Sequence, residues 1–223
     1  HADAAAEHML VVASGLESMV VGEQQIIGQV RSAYQQANSN NTVGRTLHAL
    51  AQSALHTGKR VHSETDIDDA GASMVSFACA EAMRRMGLGG DNNTENNTLE
   101  GKTALVLGAG VMASLAATHL GKLGVDKLIV ANRTRSRAEI LAEHAREAGV
   151  PAEVVDFADR AAALARVDLV VSATGADSFT ITADDVANVT HPVMLIDLSL
   201  PRDIDDTVTD QDGVSLVNIE SLH

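Results

Sequence analysis

Tryptophan is absent, and aromatic residues make up only 2% of the chain. A core without them must be built from Ala, Val, Leu, Ile and Met, which suits helices packed on a parallel sheet. The same shortage argues against aromatic platforms for single-stranded nucleic acid. Cysteine occurs once, as Cys79, so neither an internal disulfide nor a cysteine-based zinc site can form within the chain. The histidines are scattered without metal-ligand spacing, and no metal site is expected. No apolar run approaches the roughly 20 residues that span a bilayer. The opening segment His1-Ala-Asp-Ala-Ala-Ala-Glu-His8 lacks the basic flank of a signal peptide. A cytoplasmic protein with no membrane partner is expected.

Lysine is scarce as well, occurring at Lys59, Lys102, Lys122 and Lys127, and the formal net charge is −14. Such a surface does not recruit phosphates by bulk attraction. A nucleic-acid partner would have to be held by local contacts or by segments outside this chain. An acidic, lysine-poor surface also suits work in high salt, where like-charge repulsion is screened. A halophilic source is therefore expected, against the alternative of an ordinary acidic cytosolic protein.

What the chain does have is apolar residues, 45% of its 223 positions, enough for a buried core. Residues 3–87 read as helical. The periodicity predicts helices over residues 4–21, from Glu23 to Gln36, from Arg45 to Val61 and from Ala72 to Met86. In the last of these Met74, Phe77, Ala78 and Ala82 are expected to face inward. The run from Asn38 to Gly44 is a loop by composition. The stretch Gly87 to Glu100 is rich in Gly and Asn and has no periodicity, which marks a domain boundary. The expected organisation is a helical part at 1–87, a polar linker at 88–100 and a nucleotide-binding domain at 101–223.

Beyond the linker, strands alternate with helices. Strands are predicted at Thr103–Leu107, Lys127–Ala131, Ala152–Val155, Asp168–Ser172 and Pro192–Asp197. Helices are predicted at Val111–Leu123, Ser136–Ala148 and Phe157–Ala165. Short apolar runs of this kind imply an α/β fold with a parallel sheet covered on both faces, doubly wound in the Rossmann manner.

Gly108-Ala109-Gly110-Val111-Met112-Ala113 lies between the first strand and its helix. The first glycine permits a tight turn, and the second lets the backbone approach a pyrophosphate. Ala113, in the third small position, lets helix and strand pack closely. The helix N-terminus then offers N–H groups and the positive end of its dipole to phosphates. At the end of the second strand the run is Ala131-Asn132-Arg133-Thr134-Arg135. An NAD site ordinarily carries Asp or Glu there to accept from the ribose 2′-OH. Here no carboxylate is present. Arg133 or Arg135 can pair with a 2′-phosphate, and Asn132 and Thr134 can donate to it. NADPH is the expected cofactor. Ser172-Ala-Thr-Gly175 ends the fourth strand at the same sheet edge, where small residues leave room for a nicotinamide.

In the helical part, a continuous first helix would put His8, Gly15 and Gly22 on one face, because they recur at about two turns. Gln25 and Gln29 are i,i+4 neighbours beside the Ile26/Val30 row. On chemistry alone, a satisfied histidine and two solvated glutamines explain these residues better than a polar-ligand pocket does.

The stretch His8…Ala13-Ser-Gly-Leu-Glu-Ser18-Met-Val-Val-Gly22-Glu23-Gln24-Gln25-Ile-Ile-Gly-Gln29-Val-Arg31 resembles the signature of the glutamyl-tRNA reductase family. Lys59-Arg60-Val-His-Ser-Glu-Thr65-Asp-Ile67, Ala131 to Ala138 and Leu195-Ile-Asp-Leu-Ser-Leu-Pro-Arg-Asp203 resemble further motifs of that family. The resemblance implies NADPH-dependent reduction of glutamyl-tRNA(Glu) to glutamate-1-semialdehyde, the entry to tetrapyrrole synthesis, through a cysteine thioester. It implies an activity-bearing role for His8 and substrate contacts at Ser18, Glu23, Gln24, Gln25 and Gln29. It matches Gly108 to Ala113 to the NADP loop. It also implies a homodimer and an aminomutase partner that receives the aldehyde. The family's nucleophilic cysteine belongs well ahead of the His8 position, and its dimerisation helices belong beyond His223. The chain alone is therefore expected not to carry out thioester chemistry. Cys79 reads as a buried core thiol. Gln24 stands where the family commonly has proline, and the 87–100 stretch is long for the family. The competing readings are a shikimate-dehydrogenase-like NADP oxidoreductase and a non-catalytic NADP-binding module.

Overall fold

A computed structural model describes residues 2–17, 25–64, 68–88 and 98–222. Ser18, Gly22, Glu23, Gln24, Thr65 to Ile67 and most of the predicted linker lie outside the described residues. The chain divides into two compact units, residues 1–74 and 75–223, and each is described by itself. The division falls inside a helix, α4 (Asp68–Arg85), ahead of the polar stretch.

The first unit contains α1 (Ala2–Ala13), α2 (Gln25–Ser39), α3 (Arg45–Glu64) and the start of α4. The first helix is shorter than its apolar run predicts. Gly15 takes φ +74°, a left-handed conformation that glycine adopts without strain. The Gly15 and Leu16 N–H groups then donate back to Val12 and Val11 carbonyls at 2.9 and 3.2 Å. This satisfies the last carbonyls and stops the helix. His8 and Gly15 consequently do not share a face of one continuous helix. On α3, a Cβ at Gly58 would lie 2.5 Å from the Ala13 carbonyl oxygen, so glycine lets the end of α1 lie directly against α3. Tyr34 Oη and His48 Nδ1, 2.5 Å apart, join α2 to α3.

Along α4 the buried hydrophobic residues are Met74, Val75, Ala78, Cys79, Ala82 and Met83, a stripe of helical period. Phe77 was expected to face inward with them. It lies off that stripe and is 58% exposed.

The second unit is built on six parallel strands: β1 (Thr103–Leu107), β2 (Lys127–Ala131), β3 (Ala152–Val154), β4 (Leu169–Ser172), β5 (Val193–Asp197) and β6 (Val214–Asn218), in the order β3-β2-β1-β4-β5-β6. The helices between them are α5 (Val111–Lys122), α6 (Arg135–Glu147), α7 (Arg160–Leu164) and α8 (Ala183–Val186). This is the doubly wound α/β fold expected from the alternation. The runs in β1, β2, β4 and β5 are continuously apolar because both faces of those strands are covered. The region expected as one helix after β3 is a 3₁₀ turn at Phe157–Asp159 leading into the five-residue α7. The edge strand β6 was not anticipated: Val-Ser-Leu-Val-Asn is buried at only two of its five positions and lacks the continuous apolar run of a central strand.

Candidate functional site

The order of strands reverses between β1 and β4. At such a switch point the loops leaving the carboxyl ends diverge and open a crevice. The register aligns Leu107, Ala131, Ser172 and Asp197 in one row across that rim. Each of the loops that follow carries part of the site.

After β1, Gly108 has φ +109° and donates its N–H to the Ala131 carbonyl at 2.9 Å. A Cβ there would lie 2.4 Å from the Ala173 carbonyl oxygen. The turn after β4 therefore presses against this glycine, a second reason for it beyond the tight turn. Gly110 caps α5 with φ −83°, and its side-chain direction meets nothing within 4 Å. With no side chain to cap the helix, the first-turn N–H groups keep no intrahelical acceptor. Ala113 and Met112 are buried, Val111 is exposed, and Ala113 lets α5 approach the sheet. An uncapped helix N-terminus beside open space fits the pyrophosphate of a dinucleotide.

After β2, the predicted arginines part company. Arg135 is engaged in ion pairs with Asp156 and, at 3.3 Å, with Glu139. The Asp156 carboxylate beside it raises the already high guanidinium pKa. Arg133 makes no ion pair among the described residues; its guanidinium carbon sits 4.7 Å from the centroid of the Phe157 ring. Asn132 donates from Nδ2 to the Thr134 carbonyl at 3.0 Å. Thr134 caps α6 without a side-chain hydrogen bond, leaving a second uncapped helix start at the rim. No carboxylate stands among 132–135.

After β4, the Ala173–Gly175 segment is tied down by a buried polar cluster that the sequence offered only as a family motif. Asp203 is fully buried and accepts from the Ser172 hydroxyl at 2.8 Å, the Ser199 hydroxyl at 2.9 Å, and both the N–H and the hydroxyl of Thr174 at 2.7 Å. Asp197 accepts from the backbone N–H groups of Ser199, Asp203 and Ile204 at 2.8–2.9 Å. Burial pushes its carboxyl up to about 7, against the pull of those three donors, and the neighbouring Asp203 adds to the rise. An acid ending an apolar strand, with a second acid six residues later among Ser and Pro, was the available signal.

In the first unit, His8 lies on α1 with Nδ1 3.3 Å from Glu17 Oε2, both side chains largely exposed. Gln25 and Gln29 lie one turn apart on α2, Gln25 half-buried and Gln29 exposed. In the second unit, Cys79 on α4 is buried, and burial raises its thiol to about 12. It is nearly all protonated at neutral pH, and so inert as a nucleophile.

Residues 1–65 match the family model of the glutamyl-tRNAGlu reductase N-terminal domain, and residues 92–223 match that of shikimate / quinate 5-dehydrogenase. The whole chain is 70% identical to the glutamyl-tRNA reductase of Corynebacterium efficiens and 68% identical to that of Corynebacterium glutamicum strain R, covering 47% of each. The chain belongs to the glutamyl-tRNA reductase family. Glutamyl-tRNA reductase from Methanopyrus kandleri, a solved structure, is 38% identical and superposes with a TM-score of 0.54 over 98% of this chain and 52% of its own. The chain thus spans about half the length of the curated reductases it matches. Residues 92–223, which hold the sheet, are accordingly a domain of the shikimate / quinate dehydrogenase type. That shared domain accounts for the shikimate-dehydrogenase-like alternative. No helix among the described residues is long and apolar enough to cross a membrane.

Proposed function

We propose that this chain is the nucleotide-binding unit and the adjoining helical segment of a cytoplasmic glutamyl-tRNA reductase that reduces glutamyl-tRNA(Glu) to glutamate-1-semialdehyde with NADPH, for tetrapyrrole synthesis. What carries the reading is the 70% identity, sustained along the entire chain, to a protein of that name. Residues 1–87 are assigned to the substrate domain, 88–100 to a linker and 101–223 to NADPH. The first-turn N–H groups of α5 hold the pyrophosphate, with Gly110 giving it access. Arg133, without a carboxylate partner among the described residues, takes the 2′-phosphate, with Asn132, Thr134 and Arg135 around it. The Ala173–Gly175 segment, fixed from below by Asp203, forms the floor on the nicotinamide side. When bound there, NADPH supplies a hydride.

The acceptor is a thioester, formed when a cysteine thiolate attacks the glutamyl ester carbonyl and tRNA leaves through its hydroxyl oxygen. Cys79, protonated and buried, does not fill that role. It is assigned to a cysteine outside residues 1–223. His8 is assigned to the reacting carbonyl, and Ser18, Glu23, Gln24, Gln25 and Gln29 to the glutamyl group. The whole protein is a homodimer and passes its aldehyde to an aminomutase.

The test is NADPH oxidation by the full-length protein with charged tRNA(Glu). Turnover that falls on His8→Asn substitution, with NADPH affinity retained, is expected. No oxidation with the charged tRNA would sink the assignment, and equal affinity for NADPH and NADH would refute the cofactor choice alone.

A further inference from the structure

Two cations share the Phe157 ring at this rim. Phe157 opens the 3₁₀ turn after β3, beside the end of β2. Arg160, three residues on, has its guanidinium carbon 4.5 Å from the ring centroid. That guanidinium is pinned: Nε donates to the Thr180 carbonyl at 2.7 Å and Nη1 to the Phe157 carbonyl at 3.0 Å. The ring is half-buried beside this fixed cation. Arg133 meets the same ring at 4.7 Å. Unlike Arg135, Arg133 is held by no carboxylate among the described residues.

A long exposed side chain loses rotamer freedom when it binds a ligand, and that loss weakens binding. A ring that attracts the guanidinium through its negative face removes part of the loss beforehand. It does so without neutralising the cation, as Asp156 does for Arg135. Contact with a ring face also uses none of the guanidinium's N–H donors, which stay available to an anion.

We propose that Phe157 is a specificity-determining positioning residue: its ring, anchored by Arg160, holds the Arg133 guanidinium ready for the 2′-phosphate and so sets the preference for NADPH over NADH. This rests on the assignment of Arg133 to the 2′-phosphate.

The experiment measures dissociation constants of NADPH and NADH for the full-length protein and for Phe157→Leu, Arg133→Ala and the double variant. Phe157→Leu is expected to weaken NADPH roughly 2- to 10-fold and to leave NADH unchanged. The double variant is expected to be no worse than Arg133→Ala, because the ring acts through that arginine. Phe157→Tyr, which keeps the ring, is expected to bind as the parent does. Equal loss of both nucleotides, or additive effects in the double variant, would overturn the proposal. If Phe157→Leu does not fold, Phe157→Trp serves instead: it should keep or sharpen the preference, and losing the preference would overturn the proposal. A parent protein without preference for NADPH would instead overturn the assignment of Arg133 beneath it. A preference that Arg133→Ala abolishes and Phe157→Leu leaves intact would overturn the role of Phe157 alone.

Discussion

Thr174 is bound to Asp203 twice, its N–H and its hydroxyl each donating at 2.7 Å to a different oxygen of one fully buried carboxylate. No cation partners that carboxylate among the described residues. Its oxygens are satisfied by hydroxyls and one backbone N–H, an arrangement that holds in a low-dielectric site only while every donor stays in place. The segment after β4 and the loop after β5 are thereby locked together. Asp203→Ala should leave those donors unsatisfied and destabilise the protein by about 3 kcal/mol or more. Asp203→Asn, which keeps one acceptor oxygen, should cost less. Urea unfolding of both variants measures this, and an Ala variant as stable as the parent would remove the cluster's structural role.

Asp197 makes stability depend on pH in a specific direction. Its folded pKa, about 7, lies above that of an unfolded aspartate. Between those values the folded state keeps a proton that the unfolded state has lost. The stabilisation is complete below the unfolded pKa and is lost as pH rises through about 7. The stability of the parent relative to Asp197→Asn should therefore fall by up to a few kcal/mol from about pH 4 to pH 7.5. A pH-independent difference would contradict the raised value.

The two loop glycines should fail in different ways. At Gly108, with φ +109° and the Ala173 carbonyl 2.4 Å from the Cβ position, alanine meets backbone that cannot yield. Gly108→Ala should lower stability by on the order of 2–4 kcal/mol. At Gly110 nothing lies within 4 Å. Gly110→Ala should therefore stay within about 0.5 kcal/mol of the parent in stability while losing nucleotide affinity, because its methyl enters the space proposed for the phosphate. Thermal melts paired with NADPH titration separate the two effects.

Arg133 and Arg135 should likewise separate. Arg133→Ala is expected to weaken NADPH by about tenfold or more with little change for NADH, as loss of a charge-assisted phosphate contact requires. Arg135→Ala releases Asp156 and Glu139 and should have the smaller effect on NADPH. A larger loss at Arg135 would reverse the two roles.

Cys79 should resist a thiol reagent in the folded protein and react once urea exposes it, since burial holds its thiol near 12. Fast labelling under native conditions would show that the α4 stripe opens.

The nucleotide-binding half was legible from local pattern. Apolar runs covered on both faces, broken by helices and by Gly108-x-Gly110-x-x-Ala113 after the first of them, are set by nearest neighbours along the chain. So was the absence of a carboxylate after β2. The extent of the first helix was misread because apolar periodicity runs on past Gly15, while one left-handed glycine ends the helix there. Phe77 was misplaced because periodicity does not say which of two adjacent faces is covered. Three features of the site were decided only in three dimensions: Asp156, from the loop after β3, taking Arg135; Phe157 taking Arg133; and Asp203 gathering donors from β4 and its own loop. Local sequence places a side chain on an element. Which charge it meets depends on the approach of segments far apart in the chain, and only the packed sheet rim supplies that approach.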